Sequence, residues 1–267
     1  MENIIDNKSV LDLLDSLKQL DKVDCVVLGG SRSTGQSDDN SDFDLYVYYT
    51  QEPDEQERRF AVAPHCAVAE IGNHYWESED NVILKNGTKT DIIYRPVDKF
   101  AKMLDLQINQ GFALNGYTTC FWHNIKHGKA LFDKSGTFTN LQKKFDVDYP
   151  EKLRKNIITN NRKLLSGFLP SYDKQIKLAW ERGDVLSVHH RITEYLASYF
   201  DIIFALNRQT HPGEKRQIEL AKKYCEILPE DFEENIIKLL GSVVNGNPYK
   251  IVCDMLEKLD RAMEGHI

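Results

Sequence analysis

The sequence predicts an α+β fold whose second half is wholly helical. Three observations carry this. In residues 1–148, short apolar runs rich in β-branched and aromatic residues, at 25–28 and 41–49 above all, alternate with helical periodicities. From Tyr149-Pro150 onward the chain reads as helix after helix. The change falls at one place, so residues 1–148 are expected to form one domain and residues 149–267 a second, helical one.

The elements follow in order. Val10, Leu13, Leu14, Leu17 and Leu20 recur at helical spacing and predict an amphipathic helix over 8–20. The run 25–28 ends in Gly29-Gly30, which reads as a buried strand entering a tight turn. SDFDLYVYY at 41–49 predicts a strand; further strands are expected near 64–70, 82–85 and 90–95, then a helix at 97–110. Pro150, Pro212 and Pro229 each precede helix-forming stretches, as proline in a first turn does. Over 184–206, Val185, Val188, Ile192, Tyr195, Leu196, Tyr199, Phe200 and Ile203 make one broad apolar face. There is no internal repeat and no low-complexity tract.

The chain has 267 residues, 41% hydrophobic and 28% charged, an ordinary globular composition with enough material for a core. No apolar run approaches the ~20 residues of a membrane span. The opening MENIIDNKSV lacks the basic-then-apolar order of a signal peptide, so a cytoplasmic protein is expected. Cys25, Cys66, Cys120, Cys225 and Cys253 are odd in number, scattered and without C-x-x-C spacing, which reads as free thiols in a reducing compartment. The net charge of −7 speaks against a long nucleic-acid partner and favours a small molecule or a protein.

Residues 30–37, GSRSTGQS, come close to a phosphate-binding P-loop. Gln36 stands where that loop needs lysine, and a polar turn and strand follow where it needs a helix, so the P-loop is rejected. A calcium loop beginning at Asp38 fails as well, with Phe43 at the glycine position and Tyr49 at the glutamate position. What remains is Asp42 and Asp44, two apart and on one face of a strand whose other face carries Leu45, Val47 and Tyr49. Carboxylates so placed repel unless a cation sits between them, and an oxygen-only set suits Mg²⁺. Asp91, among apolar neighbours in TKTDIIYR at 88–95, is a third acid that needs a partner. A glycine–serine turn, a D-x-D strand and a later acid form a two-metal phosphoryl-transfer layout.

GGSRSTGQSDDNSDFDLYVYY resembles the signature of the polymerase-β-like nucleotidyltransferase superfamily, and TDIIYR resembles its third-acid strand. Within it the chain is similar to stand-alone bacterial aminoglycoside and lincosamide nucleotidyltransferases, through LFDKSG at 131–136, YPEKLRKNI and FALNRQTHPGEKR as well. The resemblance implies a mixed catalytic sheet with flanking helices in 1–148 and a substrate-binding helical bundle in 149–267. It implies two Mg²⁺ ions on Asp42, Asp44 and Asp91, with Asp91 either a ligand or a general base toward an acceptor hydroxyl. Gly30 and Ser31 would cradle the triphosphate of ATP, with Arg32 and Lys215 as candidate phosphate contacts. AMP would pass to a small-molecule acceptor, an antibiotic among the candidates, in the interdomain cleft, and pyrophosphate would leave. A protein or RNA acceptor, or a nucleotide-binding module without catalysis, are the alternatives; the presence of all three acids speaks against the last.

Other features read as structural. His123 and His127 have metal-site spacing, but Asn124 replaces the glutamate of a metalloprotease helix and no third ligand is evident. His189 and His190 face different directions on a helix. The Tyr and Phe stripe at 195–204 reads as core, its edge available to an acceptor, and Asp38-Asp39 as a solvated turn.

Overall fold

A computed structural model describes residues 5–35 and 41–266. Gln36, Asp38 and Asp39 therefore lie outside the described residues. The chain divides into two compact units, Met1–Leu104 with Asn124–Val147, and Asp105–His123 with Asp148–Ile267.

The first unit is built on a six-stranded sheet of order β3-β4-β5-β2-β1-β6. Its elements run α1 (Lys8–Leu17), β1 (Val23–Leu28), the single turn α2 (Gly30–Ser33), β2 (Phe43–Tyr49), α3 (Glu55–Val62), β3 (Cys66–Asn73), β4 (Ser78–Leu84), β5 (Lys89–Pro96) and α4 (Val97–Ile108). α5 (Cys120–His127), β6 (Lys129–Asp133) and α6 (Thr137–Phe145) follow. The unit boundaries fall within α4, within α5 and between Val147 and Asp148, after α6. β2 and β5 are parallel and every other pairing is antiparallel, so the sheet is mixed as expected.

Alternation in β2 explains its position. Phe43, Leu45, Val47 and Tyr49 enter a core with Val10, Leu13, Leu14 and Leu17 of α1 and Ala61 and Val62 of α3. On the opposite face Tyr48 packs edge-on against Phe100 of α4 at 5.4 Å and, tilted, against Phe138 of α6 at 5.7 Å. The end of that face holding Asp44 and Asp91 is only half-buried. β6, α3, α5 and α6 have no counterpart in the sequence reading; β6 is a short edge strand whose apolar run is only three residues, Ala130 to Phe132.

Asp80 of β4 is fully buried among the core side chains. It pairs with Arg58 of α3, accepts from the Tyr94 hydroxyl at 2.9 Å and from the Gly72 N–H at 2.9 Å. Arg58 also donates to Ser78 Oγ at 2.9 Å and lies 4.1 Å over the Tyr94 ring. The buried charges are thus fully partnered, and they tie α3 to β3, β4 and β5.

The second unit contains α7 (Glu151–Leu165), α8 (Tyr172–Glu181), α9 (Val185–Leu206), α10 (Gln217–Tyr224), α11 (Phe232–Asn245) and α12 (Pro248–Met263). α9 is its centre, buried nearly all round from Ala197 to Leu206. Inside it, Asp201 accepts from the Thr118 N–H at 3.0 Å, the Thr118 hydroxyl at 2.6 Å and Asn161 Nδ2 at 3.2 Å. These bonds fasten the segment 105–123 to α7 and α9. Among the described residues no helix is long and apolar enough to cross a membrane.

Two outcomes follow from the buried acids. Asp80→Ala leaves Arg58 buried and unpaired, and urea unfolding should show a loss of about 3–5 kcal/mol; a loss below 1 kcal/mol would contradict this role. Burial outweighs the three donors to Asp201 and raises its carboxyl from 3.8 to about 7. Between those values the unfolded chain is ionised while the folded one keeps its proton, so Asp201 lowers stability as pH rises from about 4 to 7. Thermal melting of Asp201→Asn across that range should lack this part of the slope; identical slopes would refute it.

Candidate active site

The site starts where β1 ends. The Gly29 N–H donates to the Asp44 carbonyl at 2.8 Å, and the chain then turns sharply at Gly30, whose φ is +57°. A Cβ on Gly30 would stand 1.8 Å from Asp44 Oδ2, and one on Gly29 would stand 2.1 Å from the Tyr46 ring. Only a glycine pair lets this backbone lie directly on the D-x-D strand. Side chains fix the turn: Ser33 Oγ donates to the Gly30 carbonyl at 2.9 Å and Thr34 Oγ1 to the Ser31 carbonyl at 3.1 Å.

Arg32 ties the turn to the start of β2. Its Nε donates to the Ser41 carbonyl at 3.1 Å and the Asp42 carbonyl at 3.2 Å, its Nη2 to Ser41 at 2.5 Å, and its guanidinium lies 4.0 Å over the Phe43 ring. The side chain expected at a phosphate thus braces the backbone that carries Asp42.

Asp42 immediately precedes β2 and Asp44 lies within it. Parallel pairing of β2 with β5 sets Asp44 beside Asp91, and antiparallel pairing of β5 with β4 sets Asp91 beside Asn81. In-register residues share a face, so Asp44, Asp91 and Asn81 form one row across three strands. Asn81 Nδ2 donates to Asp91 Oδ1 at 2.9 Å, and Asn73 Nδ2 donates to Asn81 Oδ1 at 2.6 Å. Glu79, on the same face of β4, is 9% exposed. Burial first, then the charges of Asp91 and Glu77, raise its carboxyl above the ordinary value.

Gly30, Ser31, Arg32, Asp42, Asp44 and Asp91 therefore come together in the first unit. Lys215 does not join them there; it is exposed in the turn before α10, in the second unit. Among the described residues no three His, Cys, Asp or Glu side chains are gathered as a ready-made metal site. His123 of α5 is engaged instead with the Thr210 hydroxyl at 2.8 Å. Sequence reasoning missed Asn81, Asn73 and Glu79, because polar residues in a strand carry no signal until the register is known.

The profile of the family described as polymerase beta, nucleotidyltransferase, matches residues 12–137, from α1 past β6, and so spans the turn and all three aspartates. Residues 12–137 are thus matched as a polymerase-beta-type nucleotidyltransferase domain. A second profile, a domain of unknown function (DUF4037), matches residues 120–216. No curated protein matches the sequence. Among solved structures, the chain is similar to a nucleotidyltransferase-like protein from Exiguobacterium sibiricum, at 11% identity and a TM-score of 0.43, over 96% of this chain and 74% of that one. It is similar also to an aminoglycoside 6-adenyltransferase from Bacillus subtilis, at 11% identity and a TM-score of 0.33, over 97% and 90% of the two chains. A spectinomycin adenyltransferase from Enterococcus faecialis, solved with ATP and spectinomycin, matches at 12% identity and a TM-score of 0.35, over 95% and 98%.

The close approach of Gly30 to Asp44 has a measurable consequence. Gly35, at φ +72° with nothing within 4 Å of an added Cβ, is its control. Gly35→Ala should lose only the backbone strain of about 1–2 kcal/mol. Gly30→Ala should lose more in thermal melting, because Asp44 must also move. Equal losses in the two variants would show that the contact does not matter.

Proposed function

We propose that the chain transfers AMP from ATP to a hydroxyl of a small-molecule acceptor and releases pyrophosphate, with Mg²⁺ as the metal. The observation that carries this reading is the row of carboxylates: Asp44 in register with Asp91, with Asp42 two residues before it and the Gly30 backbone against Asp44.

The donor set fits a hard divalent cation. It offers carboxylate oxygens only, on a half-buried face, and the missing Cβ of Gly30 lets the turn lie against Asp44 without a clash at Oδ2. Asp42, Asp44 and Asp91 would hold Mg²⁺. When bound, the ion supplies positive charge to the phosphate oxygens in the transition state. The protein's own contribution is positional. The Gly29–Gly30 turn, fixed by Ser33 and Thr34, lets a triphosphate come close to backbone N–H groups at Gly30 and Ser31. Arg32 holds the strand entry so that Asp42 stays level with the turn. The acceptor oxygen attacks the α-phosphorus, the bond to the pyrophosphate oxygen breaks, and the hydroxyl proton passes to a nearby base. Orientation and charge neutralisation supply most of the acceleration for such a displacement.

Acceptor recognition is assigned in this reading to the second unit. A groove of about 600 Å³ there lies among α9, α10 and α11, lined by Leu196, Phe200, Arg216, Ile218, Glu219 and Ile236. Its size and its mixture of apolar and charged groups suit a small molecule.

Calorimetry with a non-hydrolysable ATP analogue tests the reading without an acceptor. Binding should require Mg²⁺, and Asp42→Asn or Asp44→Asn should weaken it at least about tenfold with the melting temperature kept within a few degrees. Binding that ignores Mg²⁺, or that survives both substitutions, would contradict it.

A further inference from the structure

We propose that Asn81 is a positioning residue of the catalytic site, holding the Asp91 carboxylate in place through its side-chain amide. The inference rests on the function proposed above and adds a residue to it.

Asn81 lies next to Asp91 across the antiparallel pair β4/β5. Its amide nitrogen donates to Asp91 Oδ1 at 2.9 Å, and its amide oxygen accepts from Asn73 at 2.6 Å. The two contacts make opposite demands on one amide. A carboxylate needs the nitrogen, and the Asn73 donor needs the oxygen, so the orientation of Asn81 is fixed at both ends. Among the described residues, Asn81 supplies the hydrogen bond that the Asp91 side chain receives. It engages Oδ1 and so sets the rotation of the carboxylate, which determines where Oδ2 points.

The neighbourhood makes a neutral donor the apt choice. Glu79 lies two residues away on the same face, and the charge of Asp91 disfavours its ionised form. A third carboxylate at position 81 would add repulsion at Asp91. A lysine or arginine would neutralise the charge that a cation needs. An amide can hold the carboxylate while leaving its charge intact. The supporting strand is itself rigid: Asp80, the preceding residue, is buried and paired to Arg58. A side chain that orients a metal-binding carboxylate in this way typically accounts for 10–100-fold in affinity or activity.

The test uses the full chain, Mn²⁺ and a non-hydrolysable ATP analogue, with binding read by calorimetry and folding by thermal melting. Asn81→Ala should weaken Mn²⁺-dependent binding about tenfold or more. In an Asp91→Asn background the same substitution should cause no further loss, because Asn81 acts through Asp91. Asn73→Ala, which removes only the outer bond, should weaken binding less and in the same direction; it serves as the readout if Asn81→Ala does not fold. Asn81→Asp should be worse than Asn81→Ala, since it adds charge without losing volume. Wild-type binding by Asn81→Ala, with Asp91→Asn impaired, would overturn this inference and leave the function standing. Equal losses in both backgrounds would show a merely structural role and overturn it too. Wild-type binding by Asp91→Asn would overturn the role of Asp91 itself and this inference with it.

Discussion

The site depends on one register: Asp44 opposite Asp91 across the parallel pair β2/β5. A shift by one residue would turn Asp91 into the core and bring Thr90 or Ile92 to the site face. Burial prevents the shift. Leu45, Val47, Ile92 and Tyr94 all enter one core, so a displaced β5 would have to expose apolar side chains and bury a carboxylate. The same register propagates outward to β4, where it brings Asn81 beside Asp91. The row of polar residues is thus a by-product of how the hydrophobic face is satisfied.

Two further constraints hold that row at working distance from the turn. Beneath the sheet, the Arg58–Asp80 pair with Tyr94, Ser78 and the Gly72 N–H fixes β4 against α3. Above it, Arg32 and the glycine pair fix the turn 29–33 against the start of β2. One is a closed, buried ion pair with all its demands met inside the protein. The other is an open arrangement whose carboxylates are half-buried and only partly engaged by protein donors. That contrast separates Asp80, whose partners all lie inside the protein, from Asp91, the acid proposed to face a ligand, although both sit in strands and both lie near an amide or a guanidinium.

Much of this was legible in the sequence where the information is local. Gly29-Gly30-Ser31, Asp42 and Asp44 fall within sixteen residues, and Gln36, Phe43 and Tyr49 in and beside that stretch exclude a P-loop and a calcium loop. The helices announced themselves by apolar periodicity: 8–20 was expected and α1 is Lys8–Leu17, 184–206 was expected and α9 is Val185–Leu206. What stayed hidden depends on pairing between distant residues. Asn73 and Asn81 are plain polar strand residues until the β3/β4 and β4/β5 registers bring them together. The bonds from Arg32 to the carbonyls of Ser41 and Asp42 are hidden too, because nothing local in the sequence shows that the chain folds back to it. The membership of 105–123 in the second unit is equally invisible: it rests on Thr118 bonding to Asp201, which is 83 residues away.

The central claim is that Asp42, Asp44 and Asp91 together hold a divalent cation for nucleotide chemistry. A crystal of the full chain grown with Mn²⁺ and a non-hydrolysable ATP analogue tests it most directly, through anomalous scattering at the manganese edge. The account predicts an anomalous peak within coordination distance of carboxylate oxygens from all three residues, with the triphosphate against Gly30 and Ser31. A manganese peak elsewhere, or nucleotide bound with no contact to these carboxylates, would contradict it.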